Sequence, residues 1–144
     1  MNEHLILIGA DGAQLPADAT GHVAVTDTRT NLMWSVNDVS DDELDFEDAG
    51  KACAALNLAG FTDWRLPTVE ELFLLADRTR TNPAIDTEAF PTCKGDWYRG
   101  STPYASDSGC AWLVYFGGGD ASIGRHDYEA RVRAVRSVAS SARQ

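Results

Sequence analysis

Cysteine and histidine are the side chains here with the widest chemical repertoire, and neither type follows a catalytic or metal-binding spacing. Cys53, Cys93 and Cys110 form no C-x-x-C pair, and the three histidines are scattered along the 144 residues. Phosphate-binding, dinucleotide-binding, nucleophile-elbow and zinc-protease motifs are also missing from the sequence. We therefore expect no catalytic residue, no metal site and no cofactor.

Cys93 and Cys110 flank a segment of loop character, Lys94 to Gly109. A disulfide between them would restrict the unfolded chain and contribute roughly 3 kcal/mol in the chain-entropy model. Two free thiols are the alternative, and the sequence does not decide between them. Three cysteines leave one over if a bridge forms, so cysteine usage does not identify the redox compartment.

Aromatic and charged residues of the second half supply a candidate binding face. Aromatic ring faces stack on the C–H surfaces of sugars, and a tyrosine keeps a hydroxyl for hydrogen bonding. The tyrosines at 98, 104 and 128 have polar neighbours, which favours exposure. Together with nearby charged side chains, they make a candidate ligand-binding set that comprises Tyr98, Arg99, Tyr104, Asp107, Arg125, His126 and Tyr128.

Two charged stretches could also bind ions. The acidic stretch from Asp38 to Asp48 could bind calcium, but it lacks the ligand order of a calcium loop, and a solvated loop is the simpler interpretation. Arg131, Arg133 and Arg136 could form an anion-binding row. An outward-facing row that meets the acidic half of the chain is the simpler interpretation there.

Length and charge narrow the class of protein. The size predicts a single domain over residues 1–144. The net charge is −10, and residues 1–72 carry 14 acidic but only 3 basic side chains. Such a surface repels phosphate backbones, so we expect no nucleic-acid partner. The sequence shows no signal peptide and no segment for membrane insertion, which predicts a virion-associated or tail-associated protein, cytoplasmic before assembly.

Apolar patterning predicts short strands near both ends and two helices between them. Asp45 should cap a helix that begins at Phe46 and stops at Gly60, and Thr68 with Glu71 forms a capping box for a second helix of two to three turns. The strands are expected at Leu5–Ile8, at His22–Thr26 and Asn31–Trp34 as a hairpin around Asp27–Thr30, at Ala111–Phe116, at Ala121–Ile123 and at Arg131–Val138. Residues Thr79–Gly109 read as a long loop.

Four large side chains are expected to be structural rather than functional: Trp34, Trp64, Arg65 and Trp112. Trp64 lies between the two helices, where a large ring can be buried, and Arg65 is expected to pair with a carboxylate such as Asp63 or with helix-end carbonyls. Alternation in the strand at 111–116 places Trp112, Val114 and Phe116 on one face, directed at the core.

Six segments in a fixed order resemble the DUF1566 family, which is also named for the C-terminal domain of the Legionella collagen-like adhesin. The resemblance covers about residues 20–138. The segments are NLMW at Asn31–Trp34, ALNLAGFTDWRLPTVEEL at Ala55–Leu72, NPAIDTEAFP at Asn82–Pro91, STPYAS at Ser101–Ser106, AW at Ala111–Trp112 and VRAVR at Val132–Arg136.

This resemblance implies an α+β, C-type lectin-like fold, in which two helices flank small antiparallel sheets, a long loop region carries the binding surface and the termini lie close together. The sequence departs from the family pattern at Arg99, where relatives usually have tryptophan. Some relatives pair the helix cysteine with one in the last strand, but Ala134 stands at that place here. The resemblance therefore implies that Cys53 is a buried free thiol.

The expected function is that of a non-catalytic recognition module, a receptor-binding or adhesin-like protein of a phage tail or bacterial surface. It would bind a cell-surface glycan or a protein such as a pilus through residues 94–128, as a homo-oligomer beside other virion or tail proteins. The alternatives are a small formylglycine-generating-type enzyme and a purely structural subunit. Enzymes of that type need two closely spaced cysteines in the active site, an arrangement that Cys93 and Cys110 do not match.

Overall fold

The computed structural model describes residues 3–139, which form two antiparallel sheets and two short helices. One sheet has the strand order β1-β2-β3-β7 and the other has the order β4-β5-β6. In chain order the elements are β1 (Leu5–Ile8), β2 (Ala24–Asp27), β3 (Leu32–Ser35), α1 (Phe46–Ala54), α2 (Val69–Leu75), β4 (Trp97–Tyr104), β5 (Asp107–Tyr115), β6 (Asp120–Arg125) and β7 (Val135–Ser137).

This mostly β architecture shows that the predicted α+β, C-type lectin-like fold is wrong. The two helices hold only nine and seven residues, so they connect the sheets rather than form a layer of their own. The ends of the described chain lie at the same end of the four-stranded sheet, since Leu5 pairs with Asp27 and Ser137 pairs with Leu32. They occupy opposite edges, about 14 Å apart across three strand spacings.

The four-stranded sheet follows the sequence pattern closely. β1 has the predicted bounds, and β2 and β3 form the predicted hairpin, in which Thr26 pairs with Met33. Asn31 has a φ of 56°, which closes the turn between the two strands. All four residues of β3 are buried because β3 is a central strand, and Trp34 is only 1% exposed.

Helix α1 begins as predicted and ends earlier. The Asp45 carboxylate accepts a hydrogen bond from the Asp48 N–H at 2.9 Å, so Asp45 is the N-cap. The last helical residue is Ala54, and the C-cap Ala55 keeps a right-handed φ of −87°. Gly60, the predicted stop, instead takes a φ of 82° in the tight turn that connects Leu58 to Phe61.

The segment between the helices is held by side-chain hydrogen bonds. The Trp64 ring is 3% exposed, and its indole N–H donates to the carbonyls of Leu58 and Phe61. Arg65 makes two 2.8 Å hydrogen bonds to the Glu71 carboxylate, so the predicted pairing with Asp63 is wrong. Asp63 accepts instead from Arg136 at 2.6 Å.

The capping box of α2 is confirmed. The Thr68 hydroxyl accepts from the Glu71 N–H at 3.2 Å, and the Glu71 carboxylate accepts from the Thr68 N–H at 2.9 Å. Burial alone would raise the pKa of Glu71, but the hydrogen bonds from Arg65 and Thr68 outweigh burial and hold the pKa below its ordinary value.

The long loop predicted at Thr79–Gly109 is wrong in its second part. Residues 97–104 form β4, and β5 begins at Asp107. Gly100 and Pro103 conceal β4 in the sequence, because both residue types are uncommon within strands. The irregular register around Pro103 accommodates the proline, and β5 pairs with β4 on one side and β6 on the other.

Arg133 overturns the prediction of an outward-facing arginine row, since its side chain is fully buried. Its Nη1 donates to the carbonyls of Ser35 and Val36, each at 2.6 Å, and its Nη2 lies 3.9 Å from Asp38 Oδ1. Asp38 also accepts from the Tyr98 hydroxyl at 2.7 Å. Asp38 is therefore the buried counter-ion of Arg133 and not part of a solvated acidic loop.

Replacing Asp38 by Asn should destabilise the fold by about 3–5 kcal/mol, because it leaves the buried Arg133 guanidinium without its negative partner. Denaturant unfolding measures the change. The matched control is Asp42→Asn in the same segment, where the side chain is exposed and an effect within about 0.5 kcal/mol is expected. Equal stability of the two variants would contradict the role of Asp38.

The Glu71→Gln variant should lose a pH-dependent part of the stability. A carboxyl with a lowered folded-state pKa stabilises the fold above its ordinary value of 4.5, and this contribution is lost as the pH falls through the lower folded-state value. We expect the wild type to melt higher than the variant at pH 7 and the gap to shrink below pH 4.5. A gap that is constant with pH would rule out this origin.

Gly100 lets α2 approach the three-stranded sheet. A Cβ at residue 100 would lie 2.9 Å from the Trp112 carbonyl oxygen and 3.5 Å from the Val69 nitrogen. Gly100→Ala should therefore cost about 1–3 kcal/mol through overpacking. Gly50→Ala is the control: nothing lies within 4 Å, and a helical alanine should gain up to about 1 kcal/mol. Chemical denaturation compares the two variants.

Candidate ligand-binding surface

Two members of the predicted binding set, Tyr98 and Arg99, are buried and cannot contact a ligand on the surface. Because neighbouring strand residues face opposite sides, Tyr98 points into the core and packs against Phe116 at 5.1 Å, whereas Arg99 points to the other face of the sheet. Burial raises the pKa of Tyr98 and lowers the pKa of Arg99. Polar sequence neighbours were a poor guide to exposure here.

Tyr128 and Phe46 cover the Arg99 side chain and shield it from solvent. Its Nη2 donates to the Tyr128 carbonyl, and its guanidinium lies 5.8 Å from the centre of the Phe46 ring. Its Nε and Nη1 are buried and have no hydrogen-bond partner in the described residues. Arg99 thus occupies the interior position beneath Tyr128 and the start of α1.

The five other predicted residues come together at one end of the three-stranded sheet, here called the hairpin end. They are Tyr104, Asp107, Arg125, His126 and Tyr128. The register explains this, since β4 and β5 meet in a turn where Tyr104 pairs with Asp107, and Cys110 pairs with Arg125 at the end of β6. His126 follows β6, and its N–H donates to the Gly109 carbonyl. The Tyr128 N–H donates to the Arg125 carbonyl, which keeps Tyr128 beside the end of β6.

The side chains of the hairpin end differ in how they are held. Asp107 accepts from the Gly109 N–H at 2.9 Å, which stabilises the turn. His126 stacks on Phe46 with ring centres 4.3 Å apart and an interplanar angle of 8°. Arg125 lies 3.9 Å from the exposed Asp127 carboxylate, a contact of little energetic value. The Tyr128 side chain is 43% exposed.

A mostly apolar groove of about 310 Å³ lies beside the hairpin end, on the face of the sheet opposite to Arg99 and Tyr128. Its position follows from the close approach of α2 to the sheet at Gly100, and the Val69 N–H donates to the Thr102 hydroxyl at 3.0 Å. The groove is lined by Val69, Glu70, Phe73, Thr102, Trp112 and Ala121.

Trp112 connects the groove to the hairpin end. It lines the groove and meets Tyr104 edge to face, with ring centres 5.7 Å apart. Val114 and Phe116 are buried in the core as predicted, but Trp112 is only half-buried, so its assignment to the core is wrong. The strand continues past the edge of the core at this point, and α2 covers the ring only in part.

Phe73 is a groove residue, although its helical spacing with Val69, Leu72 and Ala76 predicts the core face of α2. Its side chain is 42% exposed, and the Arg78 guanidinium lies 3.5 Å from the ring centre. Leu74, the next residue, is 59% exposed. Helical spacing identified the buried Leu72 correctly, but a helix of two turns has too few residues to separate its core face from its flanks.

A second cavity, of about 390 Å³, lies beside β1 and the end of α2. Its charged lining is already paired: Asp27 accepts from Arg29 at 3.2 Å, and Arg78 donates to the Phe73 and Gly119 carbonyls. These contacts assign the charges to local structure.

Of the two alternatives for Cys93 and Cys110, the structure has the free thiols, and all three cysteines are free. Cys93 packs against the core near Tyr98, which pairs with Val114 of β5. Cys110 lies four residues earlier on β5, about 13 Å along the strand, so the two thiols cannot meet. Cys53 is buried as predicted, in the same cluster as Ala134, and burial raises the pKa of its thiol to about 12.

Two further observations concern residues 3–139. This part of the chain contains no group of three or more His, Cys, Asp or Glu side chains that could hold a metal ion. It also contains no helix that is long and apolar enough to span a membrane.

Comparison with known proteins places the chain in a family. No curated protein matches the sequence. A family model described as the Lcl C-terminal domain matches residues 23–136, close to the 20–138 expected from the sequence, while the DUF1566 designation stays a prediction. The match suggests a surface or adhesin-like protein of the Legionella collagen-like type. Because it spans most of the 144 residues, the chain belongs to the Lcl C-terminal domain family.

Proposed function

We propose that this chain is a non-catalytic recognition module that binds a cell-surface glycan through the groove beside Trp112. The observation that carries the proposal is the groove itself, in which two partly exposed aromatic rings, Trp112 and Phe73, face a mainly apolar space of about 310 Å³. The adhesin-like character of the family agrees with this role.

The chemistry of the groove fits a sugar ring. The C–H faces of a pyranose pack on aromatic rings, and a few polar groups at the rim set its orientation. Glu70 is the charged residue of the lining and can accept hydrogen bonds from hydroxyl groups, and the Thr102 hydroxyl is also at the rim. A carboxylate there, on a chain with net charge −10, favours neutral or basic sugars over sulfated ones.

The hairpin end extends the proposed site. Tyr104 touches Trp112, and the exposed Arg125 side chain lies on the same face of β6 as the groove residue Ala121. A second sugar unit of an oligosaccharide could contact them. This retains Tyr104 and Arg125 of the seven residues predicted from the sequence and adds Trp112 and Phe73.

The wider setting of the proposal is attachment to a host or neighbouring cell. The chain would act on a virion tail or a bacterial surface, where several weak contacts sum to useful avidity. A protein receptor such as a pilus is the competing ligand, and enzymatic removal of surface glycans distinguishes it from a glycan.

Phe73→Ala should weaken glycan binding about tenfold, because it removes one aromatic wall at an exposed position. Leu74→Ala is the matched control, since Leu74 is an exposed neighbour on the same helix that does not line the groove. A glycan array screens for the sugar, and titration calorimetry with the best hit compares the two variants.

Equal losses in both variants, or no loss in either, would place the sugar elsewhere. Binding to whole bacteria that survives enzymatic removal of surface glycans but not of pili would favour a protein receptor.

A further inference from the structure

We propose that β6 is the interface of a two-fold dimer, in which the β6 strands of two copies pair antiparallel and join their three-stranded sheets into one. This inference rests on the backbone of β6 and is independent of the proposed glycan site. The partner on this surface is a second copy of the chain.

The first observation is that the other outer strand edges are covered by the chain itself. The Leu15 N–H donates to Leu7 of β1, and Arg65 and Val135 exchange hydrogen bonds along β7. β4 is covered by Arg131, whose N–H donates to the Trp97 carbonyl at 2.9 Å. Within residues 3–139 no other strand pairs with the outer edge of β6, and the Tyr128 N–H bond to the Arg125 carbonyl occupies only the last carbonyl of that edge. A bare edge is a template for another strand.

The second observation concerns which backbone groups point outward. The His126 N–H donates to the Gly109 carbonyl, and hydrogen-bonded pairs alternate along an antiparallel ladder. Residues 120, 122, 124 and 126 therefore bond to β5. The N–H groups of Ala121, Ile123 and Arg125 point to the free edge. Five of the six residues of β6 are exposed.

Two-fold pairing allows few registers, because the backbone N–H and C=O groups of two opposite residues must either both point to the shared edge or both point away from it. Centring the axis on Ile123 places Ile123 opposite its own copy and Ala121 opposite Arg125 of the second copy. Because the Arg125 carbonyl already accepts from the Tyr128 N–H, about four backbone hydrogen bonds then form across the edge between groups that are otherwise free. A shift of the axis to Ser122 places Asp120 opposite a glycine instead.

Charge favours the register centred on Ile123. It sets Asp120 opposite His126 of the second copy on one face of the sheet, twice by symmetry, so that an imidazole N–H can donate to each carboxylate. The stack on Phe46 already holds the His126 ring in place. On the other face, Ile123, which is 37% exposed, is covered by its symmetry mate. Charged edge residues usually oppose pairing, but here they are self-complementary.

The dimer would present two copies of the groove side by side. The two-fold axis of an antiparallel strand pair is perpendicular to the sheet, so both Trp112 faces open in the same direction. A six-residue edge buries less than the roughly 1,600 Å² of a standard interface, so we expect a concentration-dependent dimer.

Sedimentation velocity over a concentration series measures the association of the full chain. The wild type should shift from 15.6 kDa towards twice that mass as the concentration rises. Ile123→Pro removes an outward N–H that β5 does not use, so it should remain monomeric with an unchanged melting temperature. Ile123→Val keeps the N–H and should dimerise. A monomeric wild type, or an Ile123→Pro variant that dimerises, would overturn the proposal.

Cross-linking tests the register and does not depend on the proline variant folding. In Ile123→Cys the two Cα atoms would be about 5.5 Å apart, within disulfide range, whereas in Ala121→Cys they would be about 14 Å apart. Mild oxidation should give a covalent dimer several-fold faster for the first variant. Both variants keep the same three native thiols, which controls for other bridges. Equal rates would exclude this register.

Discussion

The fold depends on the burial of one positive charge. Arg133 is fully enclosed, and its nearest counter-charge, Asp38, is itself nearly buried. An isolated charge in such a place is costly, so the surrounding backbone must supply partners. The carbonyls of Ser35 and Val36, at the end of β3, accept hydrogen bonds from the guanidinium directly. The Tyr98 hydroxyl on β4 donates to Asp38 and so holds the counter-charge. This one guanidinium thus links the two sheets.

The short helices act as spacers that set where the surface features appear. The Arg65–Glu71 pair and the capping box fix the start of α2, and Gly100 lets that start approach β4. Because α2 then ends at Leu75, it covers only part of β5. The uncovered part of β5 leaves Trp112 beside a groove. The proposed ligand-binding groove therefore lies where α2 ends and no longer covers β5.

The residues of the candidate surface show how far a sequence pattern carries. Five of the seven residues of the predicted binding set do gather at the hairpin end. Tyr98 and Arg99 did not, because a strand directs neighbouring side chains to opposite faces, and here both faces are covered. Polar neighbours cannot reveal a second covering layer that comes from distant residues such as Phe46 and Tyr128.

Local features were determined by the sequence itself. The caps Asp45 and Thr68, the hairpin at Asp27–Thr30 and the strand Leu5–Ile8 arise from interactions between residues a few positions apart, and local chemistry is sufficient to specify them. Tertiary structure alone decided the mostly β architecture, the burial of Arg133 and the exposure of Phe73. Each of these depends on contacts between segments far apart in the chain, such as Arg133 with Ser35, and such contacts leave no periodic signal in the sequence.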